Sequence, residues 1–192
     1  MCIEGMLPKL HNLVMGSSRL QLLIAAQSFC DAFAQKEDID TILSHFSKTR
    51  EVSAIEYGEP SLASFLGRPF LGATQVKEYF LIINSLLSYE RITFSEFLVD
   101  TETNRVALKG KGEFTWSATQ KSWEEVFTYI LDFDDELKVV RYQVWADTGS
   151  AYLARIGQLD QVREVSFLQS CAGIQIDAFL SKSISHPSRE VE

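Results

Sequence analysis

Along the first half of the chain apolar residues recur at intervals of three and four, and along much of the second half at intervals of two. Leu22, Ala26, Phe29 and Phe33 share one helical face, and Ser18 with Gln21 three residues later forms a capping-box pattern ahead of them. Asp38 is placed to cap a second, shorter helix whose stripe is Ile39, Ile42, Leu43 and Phe46. Glu51 to Tyr57 reads as a short strand ended by Gly58 and Pro60, with Gly67, Pro69 and Gly72 punctuating the loop that follows. A third helix is expected from about Thr74, carrying Val76, Phe80, Ile83 and Leu87 on one side.

After it the period drops to two. Four strands are expected in succession, Glu90 to Asp100, Arg105 to Trp116, Ser122 to Phe133 and Lys138 to Asp147, joined by short polar turns. Helices first and an antiparallel meander afterwards predict an α+β fold. Short helical pieces follow around Tyr152 to Ile156 and on to about Leu168. Residues 1–16 are expected to form a flexible leader, 17–170 a single domain, and 171–192 a disordered tail.

Register brings the chemistry together. A hairpin at Ser117 to Ser122 sets Trp116 opposite Trp123 and Gly112 opposite Phe127, and a three-residue turn over Asp134 to Lys138, with Leu137 where glycine is preferred, sets Tyr129 opposite Gln143 and Glu125 opposite Asp147. Alternation then gathers Phe94, Glu96, Phe114, Trp116, Trp123, Glu125, Phe127, Tyr129, Arg141, Gln143, Trp145 and Asp147 on one face. Lys109, Lys111, Glu113, Glu124, Thr128 and Tyr142 fall on the other, a mixed polar surface suited to a homodimer contact. The aromatic face carries ionisable groups, and a carboxylate in apolar surroundings has its neutral form favoured. Asp147 and Glu125 are therefore the candidate catalytic pair, with Tyr57 as a further donor in the substrate pocket. A one-residue slip would separate the pair. The plainer alternative has Arg141 neutralising Glu96 or Glu125 at a rim.

Composition narrows the partners. The net charge is −8, from 26 acidic and 18 basic residues, with no basic run, which argues against nucleic acid or an anionic membrane surface. Cys2, Cys30 and Cys171 are far apart and match no metal or redox spacing, and residues 1–15 are too broken by charge to be a signal peptide, so a cytoplasmic protein is expected. No phosphate loop, metal cluster or nucleophile elbow is recognisable, so neither cofactor nor metal is expected.

Lys138-Val139, then Asp147, then Tyr152-Leu153-Ala154-Arg155-Ile156-Gly157 resembles the end of the sheet in SnoaL-like polyketide cyclases of the nuclear transport factor 2-like superfamily. Tyr57-Gly58-Glu59-Pro60 with Pro69-Phe70-Leu71-Gly72, and Phe114-Thr115-Trp116 with Trp123-Glu124-Glu125-Val126-Phe127, look like fungal members of that group. The resemblance implies a cone-shaped fold with N-terminal helices packed on a strongly curved antiparallel sheet, and homodimers. It also implies acid–base cyclase, isomerase or dehydratase chemistry on a hydrophobic polyketide- or terpenoid-like molecule, with Asp147 as the acid/base. It departs from the pattern where a histidine would assist, because His45 lies in a helix and His11 and His186 near the ends. A non-catalytic binding or dimerisation module on the same fold is the alternative.

Overall fold

A computed structural model describes residues 17–172, with side chains through 168. The expected leader, and the expected tail apart from its first two residues, lie outside the described residues. Element order is α1 (Arg19–Ala34), α2 (Ile39–Ser44), β1 (Ser53–Tyr57), β2 (Phe70–Leu71), α3 (Gly72–Leu86), β3 (Leu87–Asp100), β4 (Arg105–Trp116), β5 (Lys121–Phe133), β6 (Val139–Trp145), α4 (Thr148–Arg155) and α5 (Leu159–Ala172).

The helix starts are built by the expected caps. The Ser18 side chain accepts from the Gln21 amide at 3.2 Å while the Gln21 side chain accepts from the Ser18 amide at 2.9 Å, and Asp38 accepts from the Thr41 amide at 2.9 Å. Leu22, Ala26, Phe29 and Phe33 of α1 are buried, as are Val76, Phe80 and Ile83 of α3. The chain passes from α3 into β3 without a loop, which starts the strand three residues before its expected beginning.

The six strands form one open sheet in the order β2-β1-β6-β5-β4-β3. The meander β3 to β6 is antiparallel, but β1 lies parallel to β6, with Glu56 beside Val144 and Tyr57 beside Trp145, so the sheet is mixed rather than purely antiparallel. The β4–β5 hairpin pairs Trp116 with Lys121 and Phe114 with Trp123, two residues from the expected register. A shift of two preserves the faces: Leu108, Phe114, Trp116, Trp123, Glu125, Phe127 and Tyr129 are all buried.

At β6 the faces do not follow expectation. The turn itself forms as read, with the Asp134 amide bonded to the Lys138 carbonyl at 2.8 Å and Leu137 in the left-handed region at φ 60°. Phe133 pairs with Val139, but Asp132 pairs with Arg141, so Val140 is an extra residue in the ladder. Beyond this bulge Tyr129 meets Val144 and Leu131 meets Tyr142. One inserted residue reverses every side chain after it. Tyr142 therefore lies in the core at 2% exposure instead of on the polar surface, and Arg141, Gln143 and Trp145 turn to the other face.

Candidate active site

A cavity lies between the inner face of the sheet and the helices α1, α3 and α4. Phe33, Tyr79, Phe80 and Ile83 line its helical side; Leu87, Phe114, Trp123, Glu125, Tyr129, Tyr142 and Val144 its sheet side. Phe65 and Leu66 from the β1–β2 loop, with Ala146, Asp147, Thr148 and Ala151, complete it. The cavity has a volume of about 50 Å³. The site is thus a narrow slot, smaller than the usual small-molecule pocket.

Three carboxyl groups reach this slot. Glu125 projects from β5 opposite Gly112 and accepts a hydrogen bond from Trp123 Nε1 at 2.6 Å. Burial pushes its carboxyl up to about 7, against the stabilising Trp123 bond and with a further push from the charge of Asp147. Glu56 enters from β1, accepting from the Tyr79 hydroxyl at 2.8 Å. Its carboxyl is likewise raised to about 7 by burial, partly opposed by the Tyr79 bond and helped by Glu125. From Tyr79 a seam of hydroxyls continues through Tyr142 to Tyr129, their rings 6.0 and 4.9 Å apart centre to centre. Burial raises all three phenols above their ordinary value, so they stay protonated.

Asp147 behaves in the opposite way to the acid expected of it. It ends β6 as the N-cap of α4, accepting from the amides of Gly149 and Ser150, each at 3.0 Å, and from the Ser150 hydroxyl at 2.5 Å. Partial burial alone would raise its carboxyl, but the Ser150 and Gly149 bonds together outweigh that and hold it below the usual carboxylate value. It is ionised at neutral pH and stands exposed at the cavity wall.

Of the expected pocket residues, Phe114, Trp123, Glu125, Tyr129 and Asp147 line the cavity. Phe127 is buried behind Tyr129, their ring centres 4.9 Å apart, and Phe94 contacts both from β3; neither reaches the slot. Trp116 is buried beyond the lining, at the end of its hairpin. Tyr57, Gln143 and Trp145 form a separate cluster on the outer face, as the β6 bulge and the parallel pairing of β1 require. Tyr57 stacks on Trp145 at 4.4 Å and donates to the Gln143 side chain at 3.1 Å. Arg141 pairs with Asp132, which it shares with Arg105, and so neutralises neither Glu96 nor Glu125. Glu96 itself pairs with Lys109 at 2.8 Å.

Glu56, Tyr79 and Tyr142 are polar lining residues that the sequence reasoning did not place in the pocket, having set Tyr57 inward and Tyr142 on the polar surface. The signal for Glu56 was present: Val52 and Ala54, on its side of β1, are 2% and 0% exposed, so an acid two positions on is carried inward by the same alternation. His45, the histidine within the described residues, caps the end of α2 and lies edge-on to Phe29 at 5.9 Å, away from the slot.

No family model and no curated protein matches the sequence. Solved structures do match in shape. A protein of unknown function from Burkholderia pseudomallei, described as NTF2-like, is 16% identical with a TM-score of 0.60, covering 70% of this chain and 96% of its own. This chain has the nuclear transport factor 2-like fold. BvnE pinacolase from Penicillium brevicompactum matches at 17% identity and a TM-score of 0.55, over 77% of this chain and 99% of its own. AusH from Aspergillus nidulans matches at 23% identity and a TM-score of 0.54, over 70% and 90%. In this nuclear transport factor 2-like chain the slot is built on the sheet's inner face, and among the described residues no helix is long and apolar enough to cross a membrane.

Proposed function

We propose that the protein is a SnoaL-like enzyme of the isomerase, cyclase or dehydratase type, acting without a cofactor by acid–base chemistry on a hydrophobic polyketide- or terpenoid-like molecule of secondary metabolism. One observation carries this reading: two carboxyls, Glu56 and Glu125, are both held near pH 7 inside one aromatic slot. A group that titrates near the working pH gives up and recovers a proton with little penalty in either direction. Glu125 is the acid in this scheme and Glu56 its partner. Burial keeps the proton on Glu125 and the ionised Asp147 adds to this, so the roles first expected of the pair are exchanged.

The fold shared with BvnE pinacolase supports the reaction class. A non-catalytic module with carboxylates neutralised by Arg141 is disfavoured, since that arginine is engaged by Asp132. Pairing of two copies through the face bearing Lys109, Lys111, Glu113 and Thr128 belongs to the same proposal.

The test is to incubate the protein with a panel of hydroxylated and carbonyl-bearing terpenoids and polyketides and to follow isomers and dehydration products by chromatography and mass spectrometry. Wild type is expected to convert at least one compound, and Glu125→Gln to lose about 100-fold or more in rate. Conversion that persists undiminished in both Glu125→Gln and Glu56→Gln would refute the assignment.

A further inference from the structure

We infer that the slot selects an oxygen-bearing substrate without negative charge and favours an electron-deficient transition state. This rests on the acid–base reading above and adds the charge of the reacting species to it.

The first observation is the charge inventory. The ionisable side chains along the slot are Glu56, Glu125, Asp147 and three tyrosines, and among the described lining residues there is no lysine, arginine or histidine. Arg155 of α4, which is not among the lining residues, donates from Nη1 to the carbonyls of Ser61 and Leu62 at 3.2 and 2.6 Å. A substrate bearing a carboxylate or phosphate would bury its charge among acids with no counter-charge, which is costly in a partly desolvated site.

The second observation concerns the donors. The Trp123 indole N–H and the Tyr79 hydroxyl are engaged by the carboxyls of Glu125 and Glu56, and Tyr142 and Tyr129 continue the same seam. Facing the slot are the acidic groups Glu56 and Glu125, the permanent charge of Asp147, and the rings of Phe80, Phe114 and Trp123. Aromatic faces and fixed negative charge stabilise a developing cation.

The step balances without a co-reactant. Protonated Glu125 gives its proton to a substrate hydroxyl, the C–O bond breaks with its electron pair, and water departs, leaving positive charge on carbon. A neighbouring group then migrates or a neighbouring bond reorganises, and a proton from an adjacent C–H or O–H returns to the Glu125 carboxylate. The products are the rearranged or unsaturated compound and water, and the acid is restored.

The charge class is tested with three probes of one skeleton, 2-naphthylmethanol, 2-naphthylmethylammonium and 2-naphthoate, titrated calorimetrically against the intact protein at about pH 8, where both glutamates carry substantial charge. The alcohol and the ammonium are expected to bind, with naphthoate at least about tenfold weaker than the alcohol. In Asp147→Asn/Glu125→Gln the naphthoate deficit relative to the alcohol is expected to shrink severalfold. Naphthoate binding as tightly as the alcohol, or failure of both alcohol and ammonium to bind, overturns the inference. The two proposals fail separately. The charge order can hold while Glu125→Gln leaves turnover intact, which refutes only the acid. Naphthoate can bind best while that substitution abolishes turnover, which refutes only the charge class.

Discussion

Replacing Glu125 by Gln should make the protein more stable at high pH and leave it nearly unchanged at low pH. The substitution keeps the shape and keeps a carbonyl oxygen to accept the Trp123 indole hydrogen, which in the wild type bonds Glu125 at 2.6 Å. What it removes is a titration. In the unfolded chain the carboxyl ionises near 4.5, whereas in the fold it does so at about 7. Between those values the unfolded chain has released a proton that the folded protein still holds, so stability falls as pH rises, and above about 7 the whole penalty is in place. A displacement of that size corresponds to about 3 kcal/mol. Glu125 is only 9% exposed, so solvent screening removes little of it.

The measurement is the unfolding free energy of wild type and Glu125→Gln in urea, from about pH 4.5 to about pH 8.5. Other titrating groups are common to both proteins and largely cancel, except Glu56, which the Glu125 charge raises and whose relief adds to the gain at high pH. The variant is expected to match wild type within about 1 kcal/mol at the acid end and to exceed it by about 3 kcal/mol at the alkaline end. In thermal scans that gain corresponds to roughly 6 to 12 °C for a domain of this size. A gap that stays constant over the whole range means that Glu125 ionises normally in the fold, and both the buried acid and the mechanism built on it would be wrong.

Asp147→Ala should lose about 1 kcal/mol by uncapping α4, while Asp147→Asn, which retains an acceptor for Gly149 and Ser150, should stay within a few tenths of wild type; equal losses in thermal melts would contradict the capping role. Both changes should lower the Glu125 carboxyl, because the Asp147 charge is one of the causes that raise it, and a carbon-detected NMR titration that leaves Glu125 unmoved would refute that coupling. Tyr79→Phe removes the bond that opposes the rise of Glu56, so Glu56 should titrate higher in the same experiment, and a downward shift would count against the pairing. Gly110→Ala would drive a Cβ into the Phe127 ring, and should cost at least about 2 kcal/mol in urea unfolding because Phe127 is wedged against Tyr129 and Phe114.

How far the sequence carries is best seen at two turns. Between β4 and β5 the register was displaced by two residues, an even number, so Glu125, Phe127 and Tyr129 still reached the inner face. Between β5 and β6 the turn was right, down to the left-handed Leu137, but the bulge at Val140 added one residue and moved Tyr142 into the slot and Trp145 out of it. Bulges of this kind arise from how β6 must twist to meet β1 as well as β5, and that long-range demand leaves no local mark in the residues. The behaviour of Asp147, in contrast, was legible. Asp147 followed by Gly149 and Ser150 is an N-cap arrangement, and a carboxylate holding two backbone amides and a hydroxyl is a poor candidate for a raised value.

The bulge and the cap together account for why the acid in the proposed mechanism is Glu125. Had β6 run on without the bulge, with Val140 paired to Asp132, the register would have set Asp147 opposite Glu125, and two adjacent acids would have shared one proton with no structural reason for either to hold it. Instead Asp147 is drawn into the start of α4, where three hydrogen bonds fix its charge, while Glu125 remains in the apolar slot with one. The asymmetry of their surroundings separates the two carboxyls into a permanent anion and a proton donor. In the proposed mechanism the hydrogen bonds each receives decide which of them donates the proton.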